Sequence, residues 1–491
     1  MKRKLYLETF GCQMNALDSE LVVNQLRAIG YESVSTRDDA DVVLYNTCSV
    51  REHAEQKVWS RLGELRETKA ARPHLVIGVI GCMAERDNTA LFRKFPYVDL
   101  ICGPGELDKL PSLIQSATIA NSVAVPTDNP RFRVKNHFAA LMGKTTRRSS
   151  TQDAANDGLE QLDLSRSFSP TDGSTQAYVR ITRGCNKFCS YCVVPYTRGA
   201  EVHRPPENIV AEVKRLADGG FLEVTLLGQT VNHYAYKHGD GRTTAFADLL
   251  YQVHEAVPQL PRLRFVTSYP RDFTDQALQV MRDCSRICHY LHIPAQSGSD
   301  RLLKLMNRGY SVGEYRDLID RAREMMPDIS LASDFIVGFP TETDDEFQET
   351  VALLKHCRFK NSFIFKYSPR PGTRAAQQHP DDVPDETKRK RNTELLAVQG
   401  EVCVRNNAAM IGQTLQIILE GEGSLAISHA AANKPAPAWE TASNNIRQLL
   451  GRTRGDQIVA VNADRSLLGK MVNVKITDAR QMTLFGELPC M

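Results

Sequence analysis

Three cysteines within eight residues constrain this chain more than anything else in it. The stretch reads Arg183-Gly184-Cys185-Asn186-Lys187-Phe188-Cys189-Ser190-Tyr191-Cys192, a C-x3-C-x2-C spacing held in one turn-sized loop. Thiolates crowded in this way repel one another unless a metal or cluster takes up their charge. Three of them are one short of the four that close a structural zinc site or an ordinary four-iron cluster. An iron left with an open position can bind a substrate group. The spacing alone leaves two alternatives open: a zinc site completed from elsewhere, and unligated core cysteines.

The rest of the chain has ample material for a scaffold, since 491 residues leave room for about two to four domains. A formal net charge of +3 generates no strong global field for nucleic acid. Twelve cysteines in a long chain without a secretory start argue for a reducing compartment. The Met-Lys-Arg-Lys start is basic, but Glu8 interrupts the apolar run too soon for a signal peptide. The longest apolar run, around Leu75 to Ala84, falls far short of a membrane span. A cytoplasmic protein with no membrane association is expected.

Over residues 1–130, strand and helix signals alternate. Strands are expected at Lys4–Phe10, Asp41–Asn46, Leu75–Ile80 and Val98–Cys102, with helices at Asp18–Ile29, Glu52–Lys69 and near Thr89–Phe95. Such alternation predicts a parallel sheet covered by helices. Cys12, Cys48 and Cys82 each follow one of these strands directly. Ligand sites in parallel α/β sheets lie at the carboxyl ends of the strands, so cysteines far apart in sequence can converge there. Taken alone, each is more often a small buried hydrophobe than a ligand. Cys102 also ends a predicted strand.

Residues 131–173 read as a linker. Arg131, Arg133, Lys135, Lys144, Arg147 and Arg148 fall in a run without acids, and serine, threonine, aspartate and glycine then dominate. A solvated connector is the expectation, with a phosphate-contacting arm as the alternative.

From 174 to 405 six further strands are expected, at Ala177–Thr182, Leu222–Leu227, Leu263–Thr267, Tyr290–Pro294, Ile329–Val337 and Ser362–Tyr367. Helical segments separate them; in Pro206–Ala217, Ile209, Val213 and Leu216 share one face. Six βα units suggest a partial (β/α)6 barrel with its chemistry at the C-terminal strand ends. Lys388-Arg389-Lys390-Arg391, on a long helix from Asp385, reads as a solvated face. Cys284, Cys288, Cys357, Cys403 and Cys490 show no metal spacing. Residues 406–491 form a small β domain, with strands expected at Leu415–Leu419, Gln457–Val461 and Met471–Thr477, and a loop insertion at about 424–444.

Cys185-x3-Cys189-x2-Cys192 with Tyr191 before the last cysteine resembles the radical S-adenosylmethionine (SAM) signature, and Gly184 to Gly199 resembles its methylthiotransferase branch. That resemblance implies two [4Fe-4S] clusters. One is held by Cys185, Cys189 and Cys192 and binds exchangeable SAM. The other, auxiliary, is held by Cys12, Cys48 and Cys82 and handles the sulfur to be inserted. Since the family uses three cysteines there, Cys102 is expected to be structural. The resemblance also places Tyr191 and the Ile336-Val337-Gly338 turn against the adenine of SAM, and Gly228, Gln229, Gln296 and Asp334 along its amino acid and ribose. Gly451-Arg452-Thr453-Arg454 and Leu467 to Lys470 resemble the TRAM domain, a β-barrel associated with RNA binding. The C-terminal domain counts eight Lys/Arg against seven Asp/Glu from Asn406 onward, so its RNA role rests on the resemblance and on Arg452 and Arg454. The string Glu8 to Asn15 points to the branch that inserts a methylthio group at C2 of N6-dimethylallyladenosine beside the tRNA anticodon. Branches acting on threonylcarbamoyl-adenosine or on ribosomal protein S12 remain alternatives, as does a non-catalytic iron–sulfur carrier. Implied partners are tRNA and an electron donor such as a flavodoxin or ferredoxin, with the enzyme expected to be a monomer.

Overall fold

The computed structural model describes residues 2–49, 52–123, 137–142, 158–166, 175–423 and 445–489. Its N-terminal part is a six-stranded, all-parallel sheet in the order Tyr31–Ser33, Arg3–Phe10, Val42–Thr47, Val76–Gly81, Leu100–Cys102, Phe138–Ala140. The two inner strands Val42–Thr47 and Val76–Gly81 are buried along their whole length, which is why they read as continuous apolar runs. Helices Gln13–Ala28 and Leu110–Val123 cover one face and Glu52–Ala71 the other, each sealing its own apolar core.

The stretch expected to be a linker does more than connect. Phe138–Ala140 adds the sixth strand to the sheet, and Gly158–Leu164 is a helix that buries Glu160 and Asp163. Two buried carboxylates on one short helix are polar in composition, which is what made the stretch look solvated. They are buried because arginines of the next domain meet them. Arg131, Arg133, Lys135, Lys144, Arg147, Arg148, the 424–444 stretch and Cys490 lie outside the described residues.

All six expected barrel strands form, as Gln176–Arg180, Glu223–Leu227, Arg262–Phe265, Tyr290–His292, Ser330–Val337 and Asn361–Lys366. They make two parallel three-stranded sheets, joined by the Leu263–Ile287 bridge and by the Ser268 N–H bond to the His292 carbonyl at 3.0 Å. The helix Pro206–Asp218 starts on Pro206 and stops at Gly219-Gly220, with Gly220 at φ +91°. Its Ile209, Val213 and Leu216 are fully buried against the strands. On the long helix Asp385–Ala408, Arg389 is solvated, but Lys388 and Arg391 are buried, contrary to the reading of a uniformly exposed face. Lys388 pairs with Asp381, and Arg391 with Glu342 and Asp344, so partners from other elements make their burial tolerable.

The C-terminal domain is a closed five-stranded barrel of Thr414–Glu422, Ile446–Thr453, Ile458–Asp464, Leu484–Glu487 and Met471–Ala479. It docks on the N-terminal ends of the larger barrel's strands. Arg262 donates to the carbonyls of Arg452 and Gln416 at 2.8 and 2.7 Å, and Gln457 Nε2 donates to Ser330 Oγ at 2.7 Å. Arg454 is turned inward as well, donating to the Ser285 and Ile287 carbonyls. Arg452 sits between Asp456 (2.8 Å) and Glu420 (3.2 Å). Of the two arginines expected to face RNA, Arg454 is thus engaged in holding the domain in place, while Arg452 pairs within its own domain and stays 38% exposed.

A buried ionic lattice joins the first two parts. Asp18, on helix Gln13–Ala28, accepts from Arg198 at 2.8 Å and Arg180 at 3.3 Å. Arg180 also donates to Asp163 at 2.7 Å, and Arg204 to Glu160 and Glu212, both at 2.8 Å. Asp18 is 1% exposed, and removing one partner of such a pair leaves an uncompensated buried charge. Asp18→Asn is therefore expected to lower the unfolding free energy by about 3 kcal/mol, read by denaturant titration. Asp240→Asn, in an exposed pair with Arg242, is expected to leave it unchanged.

Candidate functional site

The N-terminal cysteines sit where the sheet delivers them. Cys12 follows the strand Arg3–Phe10 and starts the helix Gln13–Ala28, Cys48 follows Val42–Thr47, and Cys82 follows Val76–Gly81 and opens a short helix. Gly81 has φ +92°, and a Cβ there would collide with Asn46 Oδ1 and approach the Thr47 carbonyl, so the turn needs glycine. Asn15 reaches the strand end: its Nδ2 donates to Asn46 Oδ1 at 2.9 Å and to the Thr47 carbonyl at 3.1 Å. Its Oδ1 accepts from the Cys12 thiol at 3.3 Å. Cys12 has its pKa lowered to about 5, chiefly by a hydrogen bond with Cys48; burial opposes this, and Arg198 and the helix N–H groups support it. Burial pushes the Cys82 thiol up, against the charge and hydrogen bond of Arg198.

The second triplet lies on the loop after the first barrel strand. Cys185 N–H donates to the Gly199 carbonyl at 3.2 Å, and Cys192 N–H to the Cys189 carbonyl at 3.0 Å. Gly184 turns at φ +70°, where a Cβ would collide with the Ala200 carbonyl. Asn307 Nδ2 donates to the Phe188 carbonyl at 2.9 Å, supporting Phe188 in its left-handed conformation at φ +49°. Arg308 Nη1 donates to Cys189 Sγ at 3.3 Å while its other nitrogens are held by Pro294 O and Tyr310. Burial raises the thiols of Cys185 and Cys192.

Both triplets line one cavity of about 1790 Å³. Single small-molecule pockets run to about 1,000 Å³, so this one accommodates more than one group. Of the residues expected at SAM, Tyr191, Gly228, Gln229, Gln296 and Asp334 line it. Gly338 does not: its φ of +69° makes a turn packed on Lys388, and its N–H donates to Glu342. Ile336 of the same turn does reach the cavity. Gln296 is held at φ +70° by backbone bonds with Asp334 and Ile336. Gln229 Oε1, Ser268 Oγ and Tyr367 Oη, all on lining residues, are buried without a hydrogen-bond partner among the described residues. Orphaned polar atoms of this kind suit a polar ligand. Six unbridged thiols with arginines beside two of them suit clusters held by thiolates. Cys102 is elsewhere; its thiol faces the Glu106 carbonyl at 3.2 Å and burial drives its pKa well up.

Sequence reasoning did not find Arg198 or Arg308. Arg198 lies within the motif string but is chemically mute until Asp18 and Cys82 are brought to it. Arg308 is far from the cysteines in sequence. Its flanks, Asn307 at φ +57° and Gly309 at φ +67°, mark a tight turn, the one local signal available.

Three family models match the chain: "Uncharacterized protein family UPF0004" over residues 4–103, the "Radical SAM superfamily" over 179–354, and the "TRAM domain" over 440–488. Among curated proteins, the tRNA-2-methylthio-N(6)-dimethylallyladenosine synthase of Rhodopirellula baltica is 43% identical, covering 99% of this chain and 96% of that one. The enzymes of the same name from Thermoanaerobacter sp. and Porphyromonas gingivalis are 38% and 39% identical, over 98% and 99% of this chain and 92% and 95% of theirs. Among solved structures, the radical S-adenosylmethionine methyltransferase TsrM from Kitasatospora setae has a TM-score of 0.52 at 19% identity. The match covers 77% of this chain and 74% of that one, and it shows the shared fold.

Gly184→Ala is expected to displace the cysteine loop, costing about 1–3 kcal/mol and lowering the iron retained after anaerobic reconstitution. Gly63→Ala, on a helix with nothing near the added methyl, is expected to retain iron fully and to stabilise by about 0.5–1 kcal/mol. Thermal melts and iron assays of the two variants check this pair.

Proposed function

Because the chain belongs to the tRNA-2-methylthio-N(6)-dimethylallyladenosine synthase family of radical SAM enzymes, we propose that it works with two four-iron clusters facing one cavity. Its activity is that of a radical SAM methylthiotransferase, an iron–sulfur and SAM-dependent enzyme whose substrate is N6-dimethylallyladenosine in tRNA. Cys185, Cys189 and Cys192 would hold the cluster that binds SAM, and Cys12, Cys48 and Cys82 the auxiliary one. The observation that carries this reading is the convergence of all six thiols on a single cavity from two separate strand systems.

The C2–H bond of an adenine is unactivated, so no side-chain base or nucleophile opens it. When bound, SAM and the clusters supply a carbon-centred radical and the sulfur that replaces the hydrogen. The protein's own groups bind and orient. Arg308 donates to Cys189 Sγ, and the charge and hydrogen bond of Arg198 oppose the effect of burial on Cys82. Gln229 and Ser268 offer unpartnered polar atoms to SAM, while Gln296, after the strand Tyr290–His292, and Asp334, within Ser330–Val337, line the cavity from the other sheet. Tyr191, half-buried beside the cysteines, forms an apolar flank. Reductant enters from outside, and a flavodoxin or ferredoxin fits the one-electron requirement.

Replacing Cys185, Cys189 and Cys192 together with alanine is expected to remove about half the iron and abolish 5′-deoxyadenosine formation from SAM. Replacing Cys12, Cys48 and Cys82 is expected to leave SAM cleavage intact and stop methylthiolation, scored by mass spectrometry of tRNA nucleosides. Methylthiolated product from the second variant would refute the auxiliary-cluster assignment. Unchanged 2-methylthio-N6-dimethylallyladenosine in a deletion strain would count against the substrate.

A further inference from the structure

We propose that Glu201, His203 and His233 form a binding site for a divalent transition metal, zinc in the first instance, separate from both cysteine triplets. One carboxylate oxygen and one nitrogen from each imidazole lie within 4.8 Å of one another. They come from two segments. Val202–His203 is a short strand paired with Thr182–Arg183, the residues that lead into Gly184 and Cys185. Val231–His233 is the turn that follows the Gly228-Gln229-Thr230 loop of the second barrel strand. Neither histidine has a part in the chemistry proposed above.

The arrangement of acceptors is what asks for a cation. Glu201 Oε1 and His203 Nε2 are both buried, have no hydrogen-bond partner among the described residues, and face each other at 3.8 Å. The Glu201 side chain is only 3% exposed. His203 Nδ1 lies 2.8 Å from the Ala235 carbonyl and also accepts from the Ala235 N–H at 3.0 Å, so Ala235 holds the ring in either tautomer; in the one protonated at Nδ1, Nε2 carries a lone pair directed at a carboxylate. A ring protonated at Nε2, whether the other neutral tautomer or the imidazolium, would aim that proton at Glu201, but 3.8 Å is beyond hydrogen-bond reach. With Nε2 unprotonated, the two atoms are opposed acceptors in a buried space, costly unless a positive centre lies between them. Zinc bonds of about 2.0–2.2 Å in tetrahedral geometry put neighbouring ligand atoms at about 3.3–3.5 Å, a few tenths of an ångström from the separation found.

The surroundings fit the same reading. The bond that His203 Nδ1–H gives the Ala235 carbonyl in one tautomer is the kind of outer hydrogen bond that orients a metal-bound imidazole. His233 Nδ1 is 2.6 Å from Glu201 Oε2 and its ring is 41% exposed, so it can exchange that hydrogen bond for coordination and leaves a fourth position to water. Lys187, whose charge is felt at His233, is paired with Asp272 rather than with the site. Two imidazoles and one carboxylate favour zinc and its transition-metal neighbours over magnesium or calcium. The Glu201 N–H donates to Asn186 Oδ1 at 3.2 Å, so a metal here would brace the cysteine loop against the loop after the second strand.

The test uses cluster-loaded, chelator-washed full-length protein titrated with zinc sulfate against a chromophoric chelator. Zinc and iron per chain are measured together. The wild type is expected to take up one zinc that the His203→Ser/His233→Ser double variant lacks, with iron content equal in the two. His233→Ala, at a half-exposed position that should not disturb folding, is expected to weaken zinc binding at least tenfold. X-ray absorption at the zinc edge should show nitrogen and oxygen neighbours alone. Equal zinc uptake by wild type and variants, no uptake by the wild type, or sulfur in the zinc shell would each overturn the proposal. These readouts do not depend on methylthiolation, so failure here and failure of the family reading remain distinguishable.

Discussion

The interaction on which the rest of this structure depends is the pair of bonds that Asp18 makes to Arg180 and Arg198. Asp18 belongs to the helix that Cys12 begins; Arg198 follows the loop that carries Cys185, Cys189 and Cys192. One buried carboxylate therefore fixes the N-terminal sheet against the barrel at the level of both thiol triplets. Burying so many charges contributes little net stability compared with apolar packing. What it imposes is geometry. Arg180, Arg204 and Arg166 find Asp163, Glu160, Glu212 and Glu20 in one arrangement of the two parts, and a slipped interface would strand several charges at once.

The same arginine links scaffold and chemistry. Burial acts against the charge on Arg198, but Asp18, Cys82 and Cys12 outweigh it and raise its pKa. A permanent guanidinium beside buried thiols favours their ionised form, the one that ligates. Arg308 is placed against Cys189 Sγ at 3.3 Å, fixed by Pro294 O and by the rings of Tyr269 and Tyr310. Each triplet thus has its own buried cation, supplied from outside its own run of sequence.

What was legible in the sequence was local. The strand before Cys185, the strand ends at Cys12, Cys48 and Cys82, and all six barrel strands are written in hydrophobic runs and turn residues close to where they act. What stayed hidden depends on partners distant in the chain. Glu160 and Asp163 looked like solvated linker until Arg204 and Arg180 met them, and Lys388 and Arg391 looked exposed until Asp381 and Glu342 did. Gly338 sits in the expected turn, but its side of the turn packs on Lys388 instead of facing the cavity. Charge patterning along a segment reports composition, and burial of a charge is a property of the complementary charge elsewhere.

The small C-terminal barrel illustrates the point most sharply. The lumen of the larger barrel carries Arg264 against Glu223 and Lys360 against Asp456, where a closed barrel would stack branched aliphatic side chains. Such a lumen is tolerable only if its donors are satisfied, and the C-terminal domain supplies the acceptors. The Thr453 carbonyl receives Arg264 at 3.2 Å, Asp456 receives Lys360, and the Arg452 and Gln416 carbonyls receive Arg262. Take that domain away and Arg262 and Lys360 lose acceptors that no described neighbour in the larger barrel replaces at comparable distance. The domain is therefore part of the wall of the cavity that both thiol triplets line, and Arg454 belongs to the fold before it belongs to any surface for RNA, while Arg452 keeps an exposed face.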